Sequence, residues 1–151
     1  MSRIREEGRE SVNIAYFLTP KADVRTLFDD NTFRKGLEVM GDGKYTVIPV
    51  TTRDNLYVGA VSTSDFLWYL YTGDVDEKGN VSTRSIDGVT VGDIMEKNTH
   101  PAVNITATLE QLIERIMNQN FVPVVDARNA FIGIVTRHNV LEYLKNNNMQ
   151  A

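Results

Sequence analysis

Two stretches of this chain repeat one another at a fixed separation, and this constrains the fold more than any single motif does. The first runs from a helical pattern (Phe33, Leu37, Met40) through Gly41 and Gly43 to the strand-like Thr46-Val47-Ile48-Pro49-Val50. A polar turn at Thr52–Asn55, a strand from Leu56 to Ser62 and a helix from Ser64 to Tyr71 complete it. In the second, Leu109, Leu112, Ile113, Ile116 and Met117 fall on one helical face behind a Thr108–Gln111 capping box. Then come Phe121-Val122-Pro123-Val124-Val125, a turn at Asp126–Asn129, a strand from Ala130 to Thr136 and a helix from Arg137 to Lys145. Pro49 and Pro123, Gly59 and Gly133, and Ser62 and Thr136 are each 74 residues apart. Each half spans about 55 residues, a length at which a chain buries too little surface to stand comfortably alone, so the halves are expected to pack on one another.

With 42% apolar and 24% charged residues among 151, the chain has enough apolar surface for a real core. Its formal charge of −4 repels a phosphate backbone, so nucleic acid is not an expected partner. Having no cysteine, it offers no disulfide, thiolate nucleophile or thiolate metal site. The longest apolar runs fall far short of the roughly 18 residues a membrane span needs, and no signal-peptide pattern opens the chain; no membrane contact and a cytoplasmic location are expected. The reading divides the chain into a mobile, charged N-terminal segment (1–12), a first repeat (13–71), a connector (72–90) and a second repeat (91–146). The connector is rich in Gly, Asp, Ser and Asn and reads as an exposed loop.

Several positions carry chemistry. Proline donates no hydrogen bond to a sheet, so Pro49 and Pro123 mark either an ordinary edge or backbone left for a ligand such as a nucleobase. Gly59 and Gly133, in mid-strand, mark a close approach by another part of the chain or by a ligand. Ser62 and Thr136 end a strand just before a helix, where a hydroxyl caps the helix; the same position suits an anion or a ribose. Asp65 favours the helix dipole, and a carboxylate there can also accept from both hydroxyls of a free ribose. Its counterpart Asn139 is neutral and does not repel phosphate, and neighbouring Arg137 can grip phosphate bidentately or lie solvated at the surface. Gly41-Asp42-Gly43-Lys44 invites a phosphate-loop reading, but it follows a helix instead of leading into one, so a helix-ending turn is expected. His100 and His138 lie in different halves with no ligand set around them, which leaves no metal site and no triad.

The apolar-Pro-Val strand followed by Gly59-Ala60-Val61-Ser62-Thr63-Ser64-Asp65, and again by Gly133-Ile134-Val135-Thr136-Arg137-His138-Asn139, resembles the signature of CBS-domain pairs, or Bateman modules. The resemblance covers about Asn13 to Tyr143, and the chain looks most like the short stand-alone bacterial members that bind cyclic di-AMP. It implies an α+β fold of two pseudo-twofold CBS repeats, each a three-stranded sheet with two helices. It also implies a non-catalytic regulatory module without a cofactor, binding an adenine nucleotide between the repeats and signalling to a downstream protein. One cleft would combine Asp23, Val24, Arg25, Tyr45, Thr46, Val47 and Pro49 with Thr136, Arg137, His138 and Asn139. The other would combine Thr99, His100, Pro101, Phe121, Val122 and Pro123 with Ser62, Ser64 and Asp65. Arg25 departs from the small residue usual there and either adds a phosphate contact or fills the pocket. Cyclic di-AMP is the favoured ligand, with AMP, ADP or ATP as the alternative; a phosphotransferase or hydrolase using Asp65 and a ligand-free interaction protein are the rival classes. Phe66–Tyr71 is apolar around the whole helix, which implies a homodimer through the CBS helices.

Overall fold

A computed structural model of the chain describes residues 12–43, 45–96 and 99–150. The segment expected to be mobile lies, up to residue 11, outside the described residues, as does Lys44 of the glycine-rich turn. The chain divides into two compact units, one built from Arg25–Thr99 and the other from residues up to Val24 together with His100 onward.

In the unit formed by Arg25–Thr99, strand β2 (Leu27–Phe28) runs parallel to β3 (Val47–Thr51), which pairs antiparallel with β4 (Tyr57–Ser62). Helix α1 (Phe33–Gly43) begins where the Thr32 hydroxyl accepts the Lys35 N–H at 3.1 Å, and it buries Phe33, Gly36, Val39 and Met40. The expected core position Leu37 is exposed, because the buried stripe turns through Gly36 instead. A Cβ at Gly36 would sit 2.8 Å from Phe66 and Val91, so the glycine sets how closely this helix approaches its neighbours. Helix α2 (Thr63–Leu70) contributes Phe66, and short helix α3 (Val91–Ile94) contributes Val91, to a core that also holds Leu27, Ile48 and Val50.

The connector is not a plain loop. Strands β5 (Tyr71–Val75) and β6 (Val81–Thr83) form an exposed antiparallel hairpin, so Tyr71, expected at the end of the helix, opens a strand. Asp76 organises its turn by accepting the backbone N–H groups of Asn80 and Lys78 at 2.8 Å each. Those donors, Asn80 first, hold its carboxyl below the ordinary value.

The other unit has a four-stranded sheet in the order β1–β9–β8–β7: β1 (Thr19–Pro20), β7 (Val103–Asn104), β8 (Phe121–Val125) and β9 (Phe131–Thr136). Helix α4 (Leu109–Ile116) starts with the expected capping box between Thr108 and Gln111 and buries Leu109, Leu112 and Ile116. Met117, expected on the same face, is 74% exposed because the helix ends before it. Helix α5 (Arg137–Gln150) closes the unit.

The extra strand β1 comes from the start of the chain, and with it the units part from the repeats. Ile14 and Phe17, from a 3₁₀ turn just before β1, are buried against Leu112, Val122, Val124 and Val135 of the second repeat. Conversely Val91 and Met95, at the head of the second repeat, are buried in the core of the first. Each repeat's leading apolar turn thus completes the unit of the other, which spacing along the chain cannot reveal because both turns are similarly apolar.

Both mid-strand prolines now have an address. The short parallel strands β2 and β7 pair only from Val50 and Val124 onward, so Pro49 and Pro123 lie just before the stretch that has a neighbour on both sides. Both are buried. Proline is tolerated there because no second ladder asks for its missing N–H.

Candidate functional site

Each unit presents the same construction: an antiparallel hairpin whose first strand carries the proline and whose second ends in a hydroxyl that caps a helix. In the Arg25–Thr99 unit, Val47 lies opposite Ser62 and Pro49 opposite Ala60. The Thr46 carbonyl accepts the Thr63 N–H at 3.0 Å, so Thr46, Val47, Ser62 and Thr63 meet at one end of the sheet. Ser62 Oγ accepts the Asp65 N–H at 3.2 Å and Asp65 Oδ2 accepts the Ser62 N–H at 2.8 Å. Asp65 does more than favour the dipole: it is the reciprocal half of a capping box, worth on the order of 1 kcal/mol. Ser64 is exposed on the first turn, Tyr45 is 41% exposed, and Arg25 is exposed two residues before β2. The Thr99 hydroxyl donates to the Glu96 carbonyl at 3.2 Å.

In the other unit Phe121 lies opposite Thr136 and Pro123 opposite Ile134. The Asn120 carbonyl accepts the Arg137 N–H at 2.9 Å, as Thr46 does for Thr63. Thr136 Oγ1 accepts the Asn139 N–H at 3.2 Å, but the Asn139 amide does not reach back: its Nδ2 donates to the Phe17 carbonyl at 3.4 Å. Arg137 Nε donates to the Ile116 carbonyl at 3.0 Å, placing a cation on the end of α4, where the helix dipole is negative. One of the five guanidinium donors is thereby engaged. His138 is exposed, 3.7 Å from Glu142 one turn on. Asp23 ends a 3₁₀ turn, with Val24 as its C-cap.

The His100 ring stacks on Phe121, centroids 5.1 Å apart and planes 18° from parallel, and its backbone is left-handed at φ 57°. Such a φ is uncommon outside glycine and marks a tightly held segment. Next to it Gln119, only 9% exposed, donates its Nε2 to the carbonyls of both Pro101 and Phe121 at 3.3 Å and so ties the residues on either side of the stacked ring pair. A cavity of about 910 Å³ opens beside it, lined in part by His100, Pro101, Asn104, Gln111, Arg115 and Gln119. Gln119 is the residue the sequence reading missed, since a glutamine just past an amphipathic helix looks like any polar residue in a turn.

The mid-strand glycines are explained by the chain itself. At Gly133, φ 156°, a Cβ would lie 2.3 Å from the Thr19 carbonyl oxygen, so the close approach is that of β1. At Gly59 it would meet the Met95 methyl at 2.6 Å. Among the described residues no group of three or more His, Asp or Glu could hold a metal ion, and no helix is long and apolar enough to cross a membrane.

A short parallel strand, a helix, a proline-bearing antiparallel hairpin and a second helix, built twice, are the architecture of a CBS pair, and the chain has that fold. Residues 91–146 match the family model of the CBS domain. The chain is similar to CbpB, solved in complex with cyclic di-AMP, at 25% identity over 97% of this chain and 94% of that one, with a TM-score of 0.77. It is also similar to CBSX2 of Arabidopsis thaliana, solved with AMP, at 26% identity over 91% and 99% of the two chains and a TM-score of 0.69. A curated relative, homoserine O-acetyltransferase of Methanococcus vannielii, is 26% identical over 89% of this chain and 27% of its own length. The chain spans 45% of a second curated match, an uncharacterized protein of Methanocaldococcus jannaschii. It therefore corresponds to less than half of either curated relative.

Proposed function

We propose that the protein is a non-catalytic regulatory module that binds an adenine nucleotide between its CBS repeats, with cyclic di-AMP the favoured ligand, and passes the bound state to a partner protein. The observation that carries this reading is the likeness, along nearly the whole chain, to a protein solved with cyclic di-AMP. The site chemistry supports it. Arg137 is anchored by one donor and keeps the rest of its guanidinium for a phosphate, while neutral Asn139 places no carboxylate beside that phosphate. AMP is the second reading, favoured by Asp65, which offers a carboxylate to a free ribose diol, and by the likeness to a protein solved with AMP. Calorimetric titration of ligand-stripped protein with cyclic di-AMP and with AMP tests both. Tighter binding of cyclic di-AMP is expected; binding of neither removes the proposal.

The module is read as a homodimer through its helices. Leu67 and Trp68 on α2 are 65% and 68% exposed, and Leu141 on α5 is 59% exposed, more apolar surface than a helix facing only its own core needs to show. Trp68→Glu is expected to give a monomer by light scattering, and a dimer surviving that change would move the interface elsewhere.

A further inference from the structure

Asn139 stands where the first repeat has Asp65, and its side chain does different work. Asp65 can only accept, and it accepts the N–H of its own cap. Asn139 donates, and the acceptor is the carbonyl of Phe17, 122 residues away in sequence. An aspartate here would set carboxylate oxygen against carbonyl oxygen. The amide is therefore the side chain of this shape that can tie the head of α5 to the start of the chain.

The tied segment, Asn13–Val24, lies across its unit as a strap. Asn13 Oδ1 accepts the Ala15 N–H at 2.8 Å, and the N–H groups of Tyr16 and Leu18 bond to the carbonyls of Asn13 and Ala15. Ile14 and Phe17 are buried, and the rings of Tyr16, Phe17 and Tyr143 meet edge to face with centroids 5.0–5.6 Å apart. β1 then pairs with β9 over the gap that Gly133 leaves. Beside the Asn139–Phe17 bond a cavity of about 490 Å³ is lined by Tyr16, Phe17, Asn139, Glu142, Tyr143 and Asn146, leaving room for a group that competes for the amide and for water to reach the released carbonyl.

We propose that Asn139 is the latch of this strap, and that a nucleotide seated on the Thr136–Asn139 turn takes the amide from Phe17 and loosens the strap. The second half rests on the function proposed above. A ligand there draws on the donor that holds the strap, while Asp23 and Val24, assigned to the same cleft, are the strap's own last residues. Binding and release are thus joined at both ends of one short segment, and the strap carries the signal away from the site.

Hydrogen exchange at the Tyr16 and Leu18 amides reads the strap directly. In ligand-free protein, Asn139→Asp is expected to speed exchange at both amides by an order of magnitude or more, and Asn139→Ala, which adds no repulsion, to speed it several-fold. Asp65→Asn, in the other repeat, should leave them unchanged. Melting curves check that each variant folds, and Asn139→Ala keeps the test available if the aspartate variant does not. Unchanged exchange at Tyr16 and Leu18 in a folded Asn139 variant overturns the latch. In wild type, saturating cyclic di-AMP, the ligand assigned to the Thr136–Asn139 turn, should speed exchange at the same amides. Binding without that change overturns the opening step alone. Absence of binding overturns the opening step together with the proposed function, and the latch is then decided by the Asn139 variants.

Discussion

The hairpins of the two units are the same object in different surroundings. Val47–Ser62 and Phe121–Thr136 share a proline in the first strand, a register break one step later, a left-handed asparagine in the turn (Asn55, φ 65°; Asn129, φ 66°) and a glycine in the second strand. Even the turn bonds correspond: Asn55 N–H to Thr52 carbonyl, and Asn129 N–H to Asp126 carbonyl. The two hairpins differ in what touches them. A backbone carbonyl presses on Gly133 and a flexible methionine tip on Gly59; Arg137 braces a helix end where Thr63 does not; Asp65 closes its own cap where Asn139 reaches for the strap. Duplication conserved the backbone solution, and the contacts around it specialised.

Four substitutions put that contrast under load. Gly133→Ala forces a methyl against a carbonyl that is fixed in a sheet and should cost on the order of 3 kcal/mol, whereas Gly59→Ala meets a side chain that can swing away and should cost about 1 kcal/mol. Urea unfolding of the pair measures the difference, and equal costs would show that the two surroundings do not matter. Arg137→Ala should weaken cyclic di-AMP by roughly tenfold to a hundredfold, as expected for losing a charge-assisted contact of about 1.5–3 kcal/mol. Asp65→Ala should leave cyclic di-AMP nearly untouched, weaken AMP, and lose about 1 kcal/mol of stability from the broken capping box. The opposite pattern in calorimetry would reverse the roles given to the two repeats.

The smallest effect lies at the edge of the first repeat. Arg53 bonds both carboxylate oxygens of Asp30 at 2.9 and 3.0 Å and lies 4.1 Å over the Phe28 ring, while Ala127, Thr106 and Asn104 hold the matching places in the second repeat. The Arg53 hydrogen bond holds the Asp30 carboxyl below its ordinary value of 3.8. With the folded value depressed, the pair's contribution is present above that ordinary value and lost as pH falls through the folded one. Arg53→Ala should therefore lower stability slightly near neutral pH and flatten the acid-side loss, the two proteins converging as pH falls through the folded value. An unchanged slope in acid titration of the two proteins would remove the pair from the account.

Much of this was legible in the sequence because the repeat is local. The 74-residue offset identified the hairpins, Thr108 and Gln111 announced a cap that is present, and the unbroken apolar run at Phe66–Tyr71 foretold the exposed Leu67 and Trp68. What stayed hidden depends on partners distant in sequence. Nothing near Asn139 points to Phe17, nothing near Arg137 points to the carbonyl of Ile116, and Ile14 and Val91 are equally apolar whichever core receives them. The connector hairpin was missed because Gly, Asp and Asn serve a tight turn between strands as readily as an open loop.

The exchange of leading turns also sets an order of assembly. The Arg25–Thr99 unit is one unbroken piece of chain and can close as soon as it leaves the ribosome. The strap is made first but has nothing to fold on until the strands after His100 appear, which at roughly 5–20 residues per second is a delay of several seconds or more. During that interval Ile14 and Phe17 are uncovered apolar side chains, and their unit forms only when two pieces of chain on either side of the Arg25–Thr99 stretch come together. The same repeat that makes the two units alike in structure leaves them unlike in history.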